Sequence, residues 1–350
     1  MTEIMRKRID VLRENCRLLG DGKTTRSLSI KRIPITLTAG NHHLCKVPKC
    51  GSTYWTQVFL VMTDIIGVEK LAQLDREVIH GPLQEQIISR EFNSELSDKM
   101  ILVTRNPWTR IYSAYMDKVY RLQVDYIKQI KRMANIIGNY CGEIPTFEQF
   151  LQFIVVMNSR RRKLDPHWRP ISTLCRVCSN EYTYIMKLES FVEDSSYVLN
   201  ELIVEDLATK DALISLLTDK YSSESVGQIV RQFTSQINKM NSKCVTFMDT
   251  MKRLWISLQS QGLISDDVAF NAHLFKKLSA VNETEIVQLF VSKQEEKVLS
   301  KTERQLQRNR HFSRAYTSVK QKTLKDIRKV YENDFVLFGY DQFLPTWLYS

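Results

Sequence analysis

The chain has no Walker loop. The pattern GxxxxGK(S/T) is absent, which removes the usual phosphate cradle of nucleotide kinases and ATPases, and no magnesium carboxylate accompanies it. No apolar run approaches the roughly 18–20 residues that a membrane span needs. The longest, Val58 to Val68, is interrupted by Thr63 and Asp64. Residues 1 to 20 do not read as a signal peptide: Ile4, Met5, Ile9, Leu12, Cys16 and Leu19 fall at helical spacing with charges between them, and Gly20 suits a C-cap. Zinc-finger spacing, an RNA-recognition signature and a long block of like charge are all missing, so nucleic acid is not expected as a partner. A second CxxC is missing too. Cys175-x-x-Cys178 therefore lacks the four ligands of a tetrahedral zinc site, and no metal is expected.

What is present is an ordinary globular composition with a basic excess. At 350 residues, 43% apolar and 25% charged, the chain can bury a large core as one α/β domain or two smaller ones. The formal charge of +11 predicts an anionic partner: a nucleotide, an acidic polymer or an acidic membrane surface. The seven cysteines are Cys16, Cys45, Cys50, Cys141, Cys175, Cys178 and Cys244. An odd number leaves at least one free thiol if the others pair, and disulfides and free thiols both stay open. Cys50 reads as packed rather than catalytic.

Two stretches carry chemistry. Lys46 to Trp55 reads KVPKCGSTYW, entered by an apolar run (His42 to Val47) and left by a helix-compatible one (Thr53 to Ile66). Strand, tight loop and helix N-terminus is the local plan for holding an anion, because the first-turn N–H groups and the helix dipole both favour negative charge. Pro48 and Gly51 fit the turn, Ser52 and Thr53 bring hydroxyls, and Lys49 brings a fixed charge. Met100 to Lys118, MILVTRNPWTRIYSAYMDK, repeats the plan, with Arg105 at the strand end and Ser113 eight residues on. A guanidinium and a hydroxyl so placed suit a phosphate. Ligands of open α/β sheets bind outside the carboxyl ends of the strands, so the two ends together suit a doubly phosphorylated nucleotide. A plain strand–turn–helix is the blander reading of either stretch alone.

The pair resembles the two nucleotide-binding signatures of sulfotransferases that use 3′-phosphoadenosine 5′-phosphosulfate (PAPS). KVPKCGSTYW is similar to the 5′-phosphosulfate loop and TRNPWTRIYSAYMDK to the 3′-phosphate segment. DPHWRPISTLCRVC (Asp165 to Cys178) and YENDFVLFGYD (Tyr331 to Asp341) resemble the Golgi carbohydrate sulfotransferases, the group that includes the chondroitin and dermatan 4-O-sulfotransferases. The four motifs run in the expected order over roughly residues 40 to 341. One departure is Thr56-Gln57, where the family often has basic residues.

The resemblance implies an α/β, three-layer P-loop-like fold: a central, mostly parallel sheet, helices on both faces and a helical insertion. The chain then divides into an N-terminal helix and linker (1–40), a single sulfotransferase domain (41–341, with the insertion at 203–307) and a tail (342–350). The implied function is transfer of a sulfuryl group from PAPS to a hydroxyl of a glycan, anionic or neutral, either a chondroitin/dermatan-type glycosaminoglycan or an N-glycan. PAPS is the co-substrate and no metal takes part. The alternatives are a non-catalytic anionic-glycan-binding protein on the same fold and, further off, a nucleotide kinase. Nucleotide-binding residues are expected at Lys49, Cys50, Gly51, Ser52, Thr53, Trp55, Arg105, Ser113 and Arg314. Lys49 is expected to stabilise charge on the leaving phosphate. The base that takes the hydroxyl proton is His80 or His167, with Glu189 as a third choice. The family lives in the Golgi lumen or membrane, usually on an N-terminal anchor, and no such segment is visible in this sequence.

The remaining segments are read more coarsely. Asp21 to Thr38 is a polar linker, Leu71 to Asn93 is helical pieces broken at Gly81-Pro82, and Trp108 to Tyr126 is a helix. Pro145-Thr146-Phe147-Glu148 is a helix start within Glu143 to Met157. Glu181 to Leu188 alternates as a strand, with a helix from Ser190 to Leu202. Arg160 to Lys163 (RRRK) reads as a solvated face or an acceptor contact. Trp168 is a candidate platform for a sugar ring and Arg169 a candidate partner for carboxylate or sulfate. Ile203 to Gln307 shows no repeat and no catalytic cluster. Asn282-Glu283-Thr284 is a glycosylation sequon. Arg308, Arg310 and Arg314 form a late basic group, Thr323 to Tyr331 an amphipathic helix, and Phe335, Phe338 and Tyr340 are core candidates.

Overall fold

The computed structural model describes residues 2–20, 35–74, 76–89, 98–122, 124–126, 129–130, 132–133, 144–203, 206–217, 223–237, 246–276, 278 and 282–344. Most of the polar linker, Cys141, Cys244 and the last six residues of the tail lie outside them. In chain order the strands are β1 (Thr36–Ala39), β2 (His42–Cys45), β3 (Ile88–Ser89), β4 (Lys99–Thr104) and β5 (Tyr184–Lys187). The helices used below are α1 (Glu3–Leu18), α2 (Ser52–Met62), α3 (Pro107–Ala114), α4 (Phe147–Ser159), α5 (Phe191–Leu202), α6 (Lys301–Thr317) and α7 (Glu332–Leu337).

The chain falls into two compact units. The first comprises Met1–Arg110, Lys163–Thr218 and Arg328–Leu344, and it holds the sheet. The strand order is β3-β1-β2-β4-β5. β2, β4 and β5 run parallel, with Leu44 opposite Ile101 and Leu102 opposite Ile185, while β1 pairs antiparallel with both β2 and β3. The α/β expectation holds. β1 is an addition to it: TLTA and HHLC form a hairpin across Gly40-Asn41, where Gly40 takes φ +56. β4 reads MILV in its middle and is buried except at Lys99, as a strand covered on both faces must be.

The core of this unit gathers Leu37, Leu44, Ile101, Leu102, Ile185 and Met186 from the strands with Trp55, Val58 and Phe59 of α2. α1 belongs to it. Thr2 caps the helix by accepting from the Met5 amide, and Met5, Ile9 and Leu12 turn inward. The Arg8 guanidinium pairs with Asp194 at 2.5 Å and donates to the Ile185 carbonyl at 3.0 Å. Two disulfides add covalent ties, Cys16–Cys178 across 162 residues and Cys45–Cys175 across 130. Each half of the CxxC therefore serves a different distant element, and Cys50 is a buried free thiol.

The second unit comprises Ile111–Arg162, Asp219–Ile327 and Pro345–Ser350. Its described part is helical. Helices at Ser223–Ile237, Phe247–Ser260 and Glu283–Glu295 pack around Val230, Leu254, Trp255 and Phe290. The helix starting beyond Pro145 is α4, held by a reciprocal box between Thr146 and Gln149. The long helix expected over Trp108 to Tyr126 is not uniform: α3 ends at Ala114 and continues as a π-turn over Tyr115–Tyr120. Asn282 of the sequon caps its helix by accepting from the Glu285 amide.

Candidate functional site

The first loop leaves the end of β2 and enters α2. Lys49 and Gly51 both take left-handed backbone, at φ +70 and +71. For Lys49 this costs about 1–2 kcal/mol, the kind of strain that clusters at ligand clamps. At Gly51 glycine is required twice over, because a Cβ would also lie 2.4 Å from the Phe191 ring. Gly51 is the N-cap and offers no side chain, so the first-turn amides of α2 are not capped by their own N-cap, an arrangement that suits an anion. Gly51→Ala is expected to lower stability by about 2–4 kcal/mol, from backbone strain and overpacking together. A urea-unfolding midpoint reads this, and an unchanged midpoint would count against the tight loop.

Two arginines brace this loop from the second one. Arg105 follows β4, and its Nη1 donates to the Lys49 carbonyl at 2.9 Å while its Nε donates to Thr109 Oγ1 at 3.1 Å. Arg110, one turn further on α3, is 1% exposed. It donates from Nε to the Pro48 carbonyl at 3.1 Å, from Nη1 to the Arg169 carbonyl at 2.7 Å and from Nη2 to the Pro166 carbonyl at 2.8 Å. One buried guanidinium thus ties the first loop to the turn that carries His167.

That turn is organised by Asp165. Its Oδ1 accepts from the His167 amide and from His167 Nδ1, both at 2.9 Å. A carboxylate has only acceptors, so the ring proton sits on Nδ1 and the basic lone pair on Nε2. Trp168 and Arg169 do not serve as expected. Trp168 is 1% exposed, so it offers no platform to a sugar. Arg169 is buried, with Nε donating to the Leu164 carbonyl at 2.8 Å, and burial pushes its guanidinium below the usual arginine range. Both side chains hold the corner that presents His167.

His80 lies in a π-turn over Ile79–Leu83 that loses helical geometry at Gly81. Its Nε2 is 2.9 Å from Thr53 Oγ1 and its Nδ1 is 2.9 Å from Lys46 Nζ. Lys46 also bonds Gln84 Oε1.

Glu189, the third candidate base, follows β5. Its Oε1 accepts from the Asn106 amide at 2.9 Å, and its Oε2 accepts from the Tyr340 hydroxyl at 3.0 Å. One oxygen holds the second loop and the other holds the C-terminal segment at Tyr340. Burial, and then the Glu189 charge, push the Tyr340 hydroxyl well above the usual tyrosine range.

The structure therefore joins Lys49, Gly51, Ser52, Thr53 and Arg105 at two neighbouring strand ends, with His80 on Thr53 and His167 tied in through Arg110. Cys50 and Trp55 are buried core residues, and burial pushes the Cys50 thiol up to about 12. Both side chains are turned into the core, Cys50 from the loop and Trp55 from the first turn of α2. Ser113 lies on α3 and Arg314 is exposed near the end of α6, both within the second unit. Lys46, Arg110 and Asp165 escape sequence reasoning. Only Asp165, two residues before a histidine and just before a proline, carries a local signal.

The sulfotransferase family matches residues 36–264. Carbohydrate sulfotransferase 12 of Xenopus laevis is 25% identical over 195 residues, 47% of this chain and 46% of the relative. Carbohydrate sulfotransferase 8 of Homo sapiens is 22% identical over 248 residues, 66% of this chain and 57% of the relative. Carbohydrate sulfotransferase 14 of Danio rerio is 27% identical over 172 residues, 45% of each. The chain spans about half the length of the curated relatives it matches. No solved structure matches it.

Proposed function

The chain belongs to the sulfotransferase family, and we propose that it moves a sulfuryl group from PAPS to a hydroxyl of a glycan acceptor. The observation that carries this reading is the pair of parallel strand ends, β2 and β4, whose loops are cross-braced by Arg105 and Arg110. The residues present fit the donor: first-turn amides, Thr53 and Lys49 at one loop, Arg105 at the other. PAPS supplies a sulfuryl group on a phosphate leaving group.

The acceptor oxygen attacks sulfur, the bond from sulfur to the phosphate oxygen breaks, and its electron pair stays on that phosphate oxygen. Lys49 and the loop amides neutralise the charge that gathers there. The acceptor's proton goes to His167 Nε2, with Asp165 holding Nδ1–H and stabilising the imidazolium. As in phosphoryl transfer, positioning and charge neutralisation supply most of the rate. The two disulfides agree with an oxidising compartment such as the Golgi lumen. Among the described residues no helix is long and apolar enough to cross a membrane. The acceptor is a glycan of the chondroitin/dermatan type or an N-glycan, and the formal charge of +11 favours an acidic one.

Thermal unfolding with 3′,5′-ADP, against ATP and 5′-AMP, tests the donor site. At about 100 times its dissociation constant, 3′,5′-ADP is expected to add roughly 2.7 kcal/mol, and Arg105→Ala is expected to abolish the gain. No stabilisation of the folded wild type would overturn the sulfotransferase reading.

A further inference from the structure

The first strand end carries a second cation that the loop motif does not contain. Lys46 follows β2 directly and is 8% exposed. An ammonium has donors only, so at 2.9 Å from His80 Nδ1 it makes that nitrogen an acceptor. The one ring proton then sits on Nε2 and is donated to Thr53 Oγ1 at 2.9 Å. Gln84, 6% exposed, accepts a further Lys46 proton on Oε1; that oxygen also lies 3.3 Å from His80 Nδ1, a longer contact than the 2.9 Å to the ammonium that bridges the two. Thr53, which accepts from His80, stands in the first turn of α2.

We propose that Lys46 is a positioning residue. It sets His80 as the Nε2–H tautomer, so that Lys46, His80 and Thr53 form a chain of donors ending at the anion held by the loop. The chemistry assigned to this chain rests on the sulfuryl-transfer reading. As the bond from sulfur to the phosphate oxygen breaks, negative charge gathers on the oxygens in the loop, and the Thr53 hydroxyl donates to it with a cation behind it. No proton changes owner along the chain. His80 is then a donor and not the base: its Nε2 carries the proton and its Nδ1 lone pair is directed at Lys46. The two histidines of this unit's site take opposite tautomers because one faces an ammonium and the other a carboxylate.

The test reads the tautomer and the rate separately. In protein labelled with ¹⁵N-histidine and assigned with His80→Gln, long-range ¹H–¹⁵N correlation is expected to show His80 protonated on Nε2 alone. Lys46→Met is expected to lose that single tautomer and to lower kcat about 10- to 100-fold, less than the loss of a donor that touches the reacting group, with the acceptor KM unchanged. Thr53→Val is expected to lower kcat, and Lys46→Met in that background to add little, since the two act as one unit. A His80 protonated on Nδ1 in the wild type overturns the proposal, as does Lys46→Met with unchanged kcat. If Lys46→Met does not fold, the wild-type tautomer decides. Failure of 3′,5′-ADP to bind would sink the sulfotransferase reading while leaving the tautomer measurable.

Discussion

Arg110→Ala is expected to deprive the protein of a cooperative fold, read as loss of a single unfolding transition by circular dichroism. The guanidinium is 1% exposed and meets three carbonyls, those of Pro48, Pro166 and Arg169. A hydrogen bond to a charged group contributes about 1.5–3 kcal/mol, and a buried carbonyl left without a donor costs about 1–3 kcal/mol. Three such losses rival the roughly 5–15 kcal/mol by which a whole domain is stable. The alanine also leaves a cavity the size of the side chain. Arg110→Lys is the informative control. It keeps the charge but cannot reach three carbonyls in three directions from one planar group, so it is expected to fold with a large loss of stability. It should also lose 3′,5′-ADP binding, because the Pro48 carbonyl is then no longer held. An Arg110→Ala protein that melts with the wild type would show that the two loops hold themselves, and the brace would be an accident of packing.

The contrast between legible and hidden features follows from contact range. β4 and its loop were legible because MILV, a proline and a helix follow one another locally. The α4 start was legible for the same reason, since Thr146 and Gln149 are three residues apart. β1 stays hidden although Gly40-Asn41 between two short runs is a hairpin signal, because the polar stretch before it reads as linker through Thr38. The cysteines were undecidable from spacing: Cys175 and Cys178 invite a local pair or a metal, yet the partners lie 130 and 162 residues away. Trp168 and Arg169 look like ligand contacts in a list of residues. Which way they face depends on the Leu164 carbonyl and on a corner that only the folded turn supplies. Lys46 is the strongest case, since it becomes part of the site only when His80, 34 residues on, closes over it.

His167→Ala is expected to lower kcat by about 10²–10⁴-fold, the usual worth of a positioned base, while binding of 3′,5′-ADP persists. The ring is oriented by Asp165 at 2.9 Å and the turn is fixed to the donor loop through the Arg110 guanidinium, so removing the imidazole disturbs neither. The sign of the pH effect follows from the role. A base must be unprotonated before it acts, so wild-type kcat is expected to fall towards acid pH, and His167→Ala is expected to lose that acid limb. Asp165→Asn keeps the shape but removes the charge that fixes Nδ1–H and supports the imidazolium, so it should lower kcat in the same direction with the nucleotide still bound. His80→Gln separates the two histidines. As a donor backed by Lys46, His80 should cost rate when removed and leave the acid limb in place. If the limb vanishes with His80→Gln and survives His167→Ala, the base is His80, and the opposite tautomers read from Lys46 and Asp165 do not describe the working enzyme.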